Sequence, residues 1–156
     1  MNSRKIFFDT LLEMAREDKD IIILVGDLGF SFMEEFQREL PGQIINMGIC
    51  EQNMIGVAAG LALAGKKPYC YSGAVFLLCR AYEQVRDDVC YNNLNVKLIG
   101  TGAADFLGFS HNFSGYESDR DLLINLPNIK RHFPQTEEEL VKILKDKTHA
   151  PEYIRL

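Results

Sequence analysis

Glu51 is the residue of this chain whose type and position most clearly predict a catalytic or ligand-binding role. It lies in the run Asn-Met-Gly-Ile-Cys-Glu-Gln-Asn over residues 46–53, between a short apolar strand at 44–45 and a predicted helix over 54–64. Ligands of open α/β sheets bind at the carboxyl ends of strands, and the N–H groups of a helix N-terminus favour an ionised acid. Glu51 is therefore positioned to meet a ligand. An acid in the first helical turn is also a common structural feature, because it complements the helix dipole.

Polar and aromatic side chains follow three other predicted strands. Asp27 comes after the first strand, the segment 72–76 after the third, and His111 lies in a long loop after the fourth. Because the carboxyl ends of parallel strands share one edge of the sheet, these groups are expected to converge with Glu51. Alternatives remain at this point, since Asp27 in Gly-Asp-Leu-Gly is also a typical turn residue and Phe76 is also a typical core residue.

The elements that must position these residues alternate along the chain. The hydrophobic pattern predicts strands over 21–25, 44–45, 69–71, 96–101, 129–132 and 152–156, and helices over 3–17, 32–40, 54–64, 75–91, 121–125 and 136–145. Alternating strands and helices predict a three-layer α/β/α fold around a doubly wound, mostly parallel sheet of about six strands. No linker or internal repeat interrupts the pattern, so residues 1–156 are predicted to form a single domain.

Composition and charge argue against several classes of protein. Apolar residues make up 47% of the chain and charged residues 25%, which is typical of a globular protein. The net charge of −5 and the absence of Lys/Arg runs argue against nucleic-acid binding, and no apolar run is long enough to predict membrane insertion. The four cysteines lack the spacing of a metal site, so we expect no metal ligands, reduced thiols and a cytoplasmic location.

Residues 45–62 carry a longer pattern, Ile-Asn-Met-Gly-Ile-Cys-Glu-Gln-Asn-Met-Ile-Gly-Val-Ala-Ala-Gly-Leu-Ala. It resembles the signature of the pyrimidine-binding domain of transketolases and their thiamine diphosphate-dependent relatives. The resemblance implies the corresponding fold. It also implies that Glu51 is a catalytic and cofactor-binding residue, which hydrogen-bonds the pyrimidine ring nitrogen and favours the tautomer that acts as base. A matching Asp-Leu in the family makes Asp27 a further cofactor-binding residue.

Residues 71–86, Tyr-Ser-Gly-Ala-Val-Phe-Leu-Leu-Cys-Arg-Ala-Tyr-Glu-Gln-Val-Arg, are similar to a second signature of the same family. The resemblance implies that Phe76 stacks on the aminopyrimidine and that Arg80 contributes to the cofactor pocket or meets a sugar phosphate. Gly73 replaces an aromatic residue of many relatives, which predicts a wider pocket. Gly-Phe-Ser-His, which ends at His111, is similar to the family motif whose histidine faces the sugar donor, so His111 is a second catalytic candidate.

The family also implies parts that this chain does not carry. Its members hold the diphosphate through Mg²⁺ or Ca²⁺ on another domain with a Gly-Asp-Gly motif, which is absent here, and 156 residues leave no room for the family's C-terminal domain. We therefore expect a larger partner chain that binds the diphosphate, in an α2β2 assembly. The predicted activity is transfer of a two-carbon ketol group between sugar phosphates.

Three alternatives remain open at the level of the sequence. The same domain type occurs in the β subunits of 2-oxoacid dehydrogenases and in deoxyxylulose-type synthases, which use thiamine diphosphate for other reactions. From a different class, the chain could be non-catalytic, either a regulator that kept the fold and lost the reaction or a flavodoxin-like interaction module. The joint presence of Glu51, Phe76 and Arg80 argues against loss of the reaction.

Overall fold

The structure is a computed structural model that describes residues 2–102 and 119–156. Six strands form one sheet: β1 (Ile21–Val25), β2 (Ile44–Asn46), β3 (Lys67–Gly73), β4 (Lys97–Thr101), β5 (Lys130–His132) and β6 (Glu152–Arg155). The α-helices are α1 (Ser3–Glu17), α2 (Glu34–Glu39), α3 (Glu51–Leu63), α4 (Tyr82–Gln84), α5 (Asp119–Leu123) and α6 (Glu137–Lys145). Every strand pair is parallel, in the order β2-β1-β3-β4-β6-β5, which confirms the predicted fold class.

Strand β1 shows why the sheet has helices on both faces. All five of its residues are buried, because successive side chains point to opposite sides and both sides are covered. Ile22 and Leu24 pack in a cluster with α3, whereas Ile21, Ile23 and Val25 pack in a second cluster with α1 and α6. The unbroken aliphatic run is thus the signature of a strand in the middle layer.

The segment after β3 is helical, as predicted over 75–91, but it is not a regular α-helix. A π-helical turn over Phe76–Arg80 precedes the short α4, and a second π-helical segment, Val85–Cys90, follows it. A π-helical turn closes its hydrogen bond one residue later than an α-helical turn, so it changes the direction in which the following side chains project. Such turns occur frequently at functional sites.

A buried polar cluster joins α5 to the sheet. The Asp119 carboxylate accepts hydrogen bonds from the Tyr153 hydroxyl at 2.9 Å and from Nη1 of Arg155 at 3.1 Å. Burial raises the pKa of the Tyr153 phenol well above its usual value, so loss of the donated proton is disfavoured further. Gly100 makes room for it, since a Cβ there would lie 2.5 Å from the Tyr153 hydroxyl oxygen.

The strand order places a topological switch point between β1 and β3. The chain passes from β1 to β2 on one side and then returns to form β3 on the other side of β1, so the direction of growth reverses between these two strands. Ligands of doubly wound sheets bind outside the carboxyl ends of strands at such a switch point. None of the helices in residues 2–102 and 119–156 is long and apolar enough to cross a membrane.

Candidate functional site

Glu51 is the first residue of α3, three positions earlier than the sequence predicts for the start of that helix. Gly48, with φ of +73°, turns the chain after β2, and the first helical hydrogen bond runs from the amide of Met54 to the carbonyl of Cys50 at 3.0 Å. Positive φ is readily adopted by glycine and rarely by other residues. The turn brings Glu51 to the helix N-terminus, where the dipole favours its negative charge.

The Glu51 carboxylate is buried and fully paired. The residue is 0% exposed; Oε1 accepts a hydrogen bond from the Ser72 hydroxyl at 2.8 Å, and Oε2 accepts one from Nη1 of Arg80 at 2.6 Å. A carboxylate withdrawn from water is costly unless other groups satisfy it. Ser72, at the end of β3, and Arg80, at the end of the π-helical turn, supply that compensation.

The backbone of Gly26 closes the inner side of this cluster. A Cβ at this position would lie 3.0 Å from the Ser72 hydroxyl oxygen and 3.4 Å from Oε1 of Glu51. The end of β1 can therefore approach the cluster closely only because residue 26 has no side chain. Gly26 is further held by its amide, which donates to the carbonyl of Tyr71 at 3.0 Å.

Phe76 and Arg80 form a stacked pair beside the carboxylate. Cζ of Arg80 lies 4.4 Å from the centroid of the Phe76 ring, within the range of a cation–π interaction. A Cβ on Gly73 would lie 2.9 Å from Cδ2 of Phe76, so the ring rests directly against the glycine backbone. The absence of a side chain at Gly73 thus leaves room for the Phe76 ring.

Asp27 lies at the same edge of the sheet but contacts other residues. It adopts φ of +54° immediately after β1; its carboxylate accepts from Nδ2 of Asn46 at 3.0 Å, and its amide donates to Oδ1 of Asn46 at 3.2 Å. These bonds connect the ends of β1 and β2, as expected for a turn residue. The role of Asp27 at a cofactor stays a prediction, and His111 lies outside the described residues.

The structure brings Glu51, Phe76 and Arg80 together and adds Ser72 and Gly26 to them, whereas the roles of these residues at a cofactor stay predictions. The sequence pattern places the segment beginning at Ser72 on this edge but predicts no partner for the hydroxyl. Their position is the feature of the sequence that could identify them, because Ser72 and Gly26 are small residues at the ends of the two strands that flank the switch point.

The carboxylate of Glu51 and the ring of Phe76 together fit a flat, nitrogen-containing heterocycle. A carboxylate next to an aromatic face can accept a hydrogen bond from a ring nitrogen or amine while the ring stacks on Phe76. Within residues 2–102 and 119–156, no group of three or more His, Cys, Asp or Glu side chains could hold a metal ion. The Glu51 carboxylate and the Phe76 ring fit an organic group through hydrogen bonding and stacking.

Ser72→Ala is expected to lower the free energy of unfolding by about 1.5–3 kcal/mol, because it leaves a buried carboxylate oxygen without its donor. Urea denaturation followed by circular dichroism measures this loss. Ser3→Ala, a substitution of the same type in the first turn of α1, is the matched control and is expected to change stability by less than about 0.5 kcal/mol. Equal stability of both variants would contradict the geometry described for Ser72.

The fold and the site define a doubly wound α/β protein with a buried carboxylate and an aromatic face at its switch point. The chain belongs to the family described as "Transketolase, pyrimidine binding domain", which matches residues 1–156. It is 38% identical over 160 residues to one of the subunits of the apulose-4-phosphate transketolase of Phocaeicola vulgatus, covering 98% of this chain and 50% of that protein. It is 36% identical over 132 residues to the 1-deoxy-D-xylulose-5-phosphate synthase of Bacillus cereus (strain G9842), covering 84% of this chain and 21% of that enzyme.

Among solved structures, the fold matches a split-gene transketolase that is described as an inactive β4 tetramer. The TM-score is 0.87 at 36% identity, and the match covers 99% of this chain and 50% of the other. The chain spans about half the length of the first curated relatives it matches. The family and the fold are therefore those implied by the sequence signatures.

Proposed function

We propose that this chain is the pyrimidine-binding part of a two-component, thiamine diphosphate-dependent transketolase. The buried Glu51 carboxylate beside the Phe76 ring carries the proposal, because it offers a hydrogen-bond acceptor and a stacking face at one point. The transketolase relative from Phocaeicola vulgatus and the split-gene transketolase support the same assignment. The substrates are sugar phosphates, between which a two-carbon ketol group is transferred.

Each residue of the site has a task in this proposal. The bound coenzyme supplies the carbon nucleophile of the reaction, and the protein supplies orientation and electrostatics. Glu51 holds a proton at the pyrimidine ring nitrogen, and Ser72 fixes Oε1 so that Oε2 faces the ligand. Phe76 orients the ring by stacking and excludes water from one of its faces. His111 and Asp27 are proposed as further contacts to the sugar and the coenzyme.

A partner chain is needed for the rest of the pocket. We assign the diphosphate and its Mg²⁺ or Ca²⁺ to a larger subunit, in an α2β2 heterotetramer with the site at the interface between the two types of chain. The β4 tetramer of the split-gene relative is described as inactive, which supports the need for a second type of chain.

We also propose a cytoplasmic location. The described cysteines form no disulfide, in keeping with this location.

The experiment that tests this function is reconstitution. The chain alone is expected to bind thiamine diphosphate weakly and to show no turnover of ketose phosphates, whereas the mixture with its partner chain is expected to bind the coenzyme and to turn over. Calorimetric titration measures binding, and a coupled assay of aldose phosphate release measures turnover. Full turnover by the isolated chain would refute the two-component assignment.

A second candidate reaction is supported by the 36% identity to a 1-deoxy-D-xylulose-5-phosphate synthase. That class joins a 2-oxoacid donor to an aldose phosphate, on the same type of pyrimidine-binding domain. The reconstituted complex distinguishes the two candidates by its donor. Turnover with a ketose phosphate supports the transketolase, and carbon dioxide release from pyruvate supports the synthase.

A further inference from the structure

We propose that Arg80 is an internal stand-in for the aminopyrimidine ring, which must leave Glu51 before the coenzyme can bind. This inference rests on the proposed function and deepens it. The guanidinium is planar, lies over the Phe76 ring at 4.4 Å and donates to Oε2 of Glu51 at 2.6 Å. These are the two contacts, stacking and a hydrogen bond to the carboxylate, that the site would make with the heterocycle.

Buried protein groups already cover Oε1 of the Glu51 carboxylate. Oε1 is bonded to the hydroxyl of the buried Ser72, and the backbone of Gly26 lies against both groups. Oε2 is the carboxylate oxygen that is not bonded to the buried Ser72, and its described partner is the partly exposed Arg80. A ligand that reaches Glu51 must therefore arrive at Oε2.

Arg80 occupies the position next to Oε2 that such a ligand would take. Its side chain is 34% exposed, whereas the side chain of its partner Glu51 is 1% exposed, so the guanidinium reaches from the buried carboxylate to solvent. A ring that stacks on the face of Phe76 covered by Arg80 and bonds Oε2 would occupy the same space as the guanidinium. The two cannot be present together, and binding requires the ion pair to open.

The position of Arg80 also makes its departure feasible. A long, partly exposed side chain can rotate into solvent without unfolding its helix, and Arg80 ends the π-helical turn that starts at Phe76. Until it leaves, Arg80 satisfies a buried charge and contacts both Glu51 and Phe76. It is a positioning residue in this role, and its ion pair competes with the ligand.

The test is the affinity of the reconstituted complex for thiamine diphosphate, measured by calorimetric titration in the presence of Mg²⁺. Arg80→Met removes the competing donor and is expected to tighten binding about tenfold, as a lost charge-assisted hydrogen bond predicts. Arg80→Lys keeps the charge without the planar stack and is expected to bind with intermediate affinity, and it serves if the Met variant does not fold. Arg86→Met, from an exposed pair with Asp87, is the control with unchanged affinity.

Thermal unfolding gives a second readout that does not depend on turnover. The Arg80→Met chain is expected to be less stable than wild type without the coenzyme, because Glu51 loses its counter-ion, and to gain more from saturating coenzyme. Equal or weaker binding by both Arg80 variants overturns this inference and leaves the proposed function standing. No binding by the wild-type complex overturns both.

Discussion

Glu51→Gln is expected to reduce the turnover of the reconstituted complex at least about 100-fold, in the range that general acid–base groups contribute. The amide is nearly isosteric and can still accept from Ser72 or Arg80, so the fold and the assembly with the partner are retained. What the amide cannot do is share a proton with the pyrimidine ring nitrogen as an acid does. Turnover at saturating coenzyme and substrate is the measurement.

Glu83→Gln provides the matched control for this substitution. Glu83 is exposed on α4, in the same helical segment as Arg80, and the change in charge is identical. Its turnover is expected to stay within about twofold of wild type, as a surface substitution predicts. If Glu51→Gln were equally active while the complex remained assembled, Glu51 would not be the proton-sharing residue of the site.

Asp119→Ala is expected to be the most destabilising of the substitutions considered, with a loss of about 3–5 kcal/mol in the free energy of unfolding. The carboxylate is fully buried, and its removal leaves the Tyr153 hydroxyl without an acceptor and Arg155 without its counter-ion. Arg155 is 28% exposed on its side chain, so solvent compensates only part of this loss. Urea titration of the purified chain measures the effect.

Asp9→Ala is the control for the loss of Asp119. Asp9 forms an i,i+4 pair with Lys5 on the exposed face of α1, an arrangement that contributes about 0.3–0.5 kcal/mol. The two variants change charge by the same amount and differ in the burial of the carboxylate. A similar small effect for both would mean that the cluster around Asp119 does not stabilise α5 against the sheet.

The fold was largely predictable because its signals are strong and local. The aliphatic run of β1 can be buried only in a two-faced sheet, and the alternation of strands and helices requires parallel crossovers. Element ends were less predictable. The helix after Glu51 begins at that residue instead of at 54, because the turn at Gly48 depends on a backbone conformation that hydrophobic periodicity does not report.

The π-helical turns could not be predicted from periodicity, since the apolar residues of 75–91 suit an ordinary helix. The same limit applies to the partners of Glu51. The signatures identify Glu51, Phe76 and Arg80, but the bond between Glu51 and Arg80 depends on how that turn directs a side chain toward another helix. Long-range contacts of this kind follow from tertiary packing, and the local patterns of a single sequence do not specify that packing.

The site illustrates how a doubly wound sheet supports a buried charge. Two small residues lie at the strand ends on either side of the switch point, Gly26 just after β1 and Ser72 next to the last residue of β3, and they allow α3 to bring a carboxylate close to both. The helix dipole, one hydroxyl and one guanidinium then stabilise that charge. The result is an acid held in a fixed orientation before any ligand arrives, which reduces the ordering needed on binding.

The most direct test is a crystal structure of the reconstituted complex with thiamine diphosphate. We expect one carboxylate oxygen of Glu51 to lie about 2.6–3.2 Å from the pyrimidine ring nitrogen, with the ring stacked on Phe76 and the diphosphate held by the partner chain. A coenzyme whose pyrimidine ring lies away from Glu51, or is bound entirely by the partner chain, would contradict the central claim.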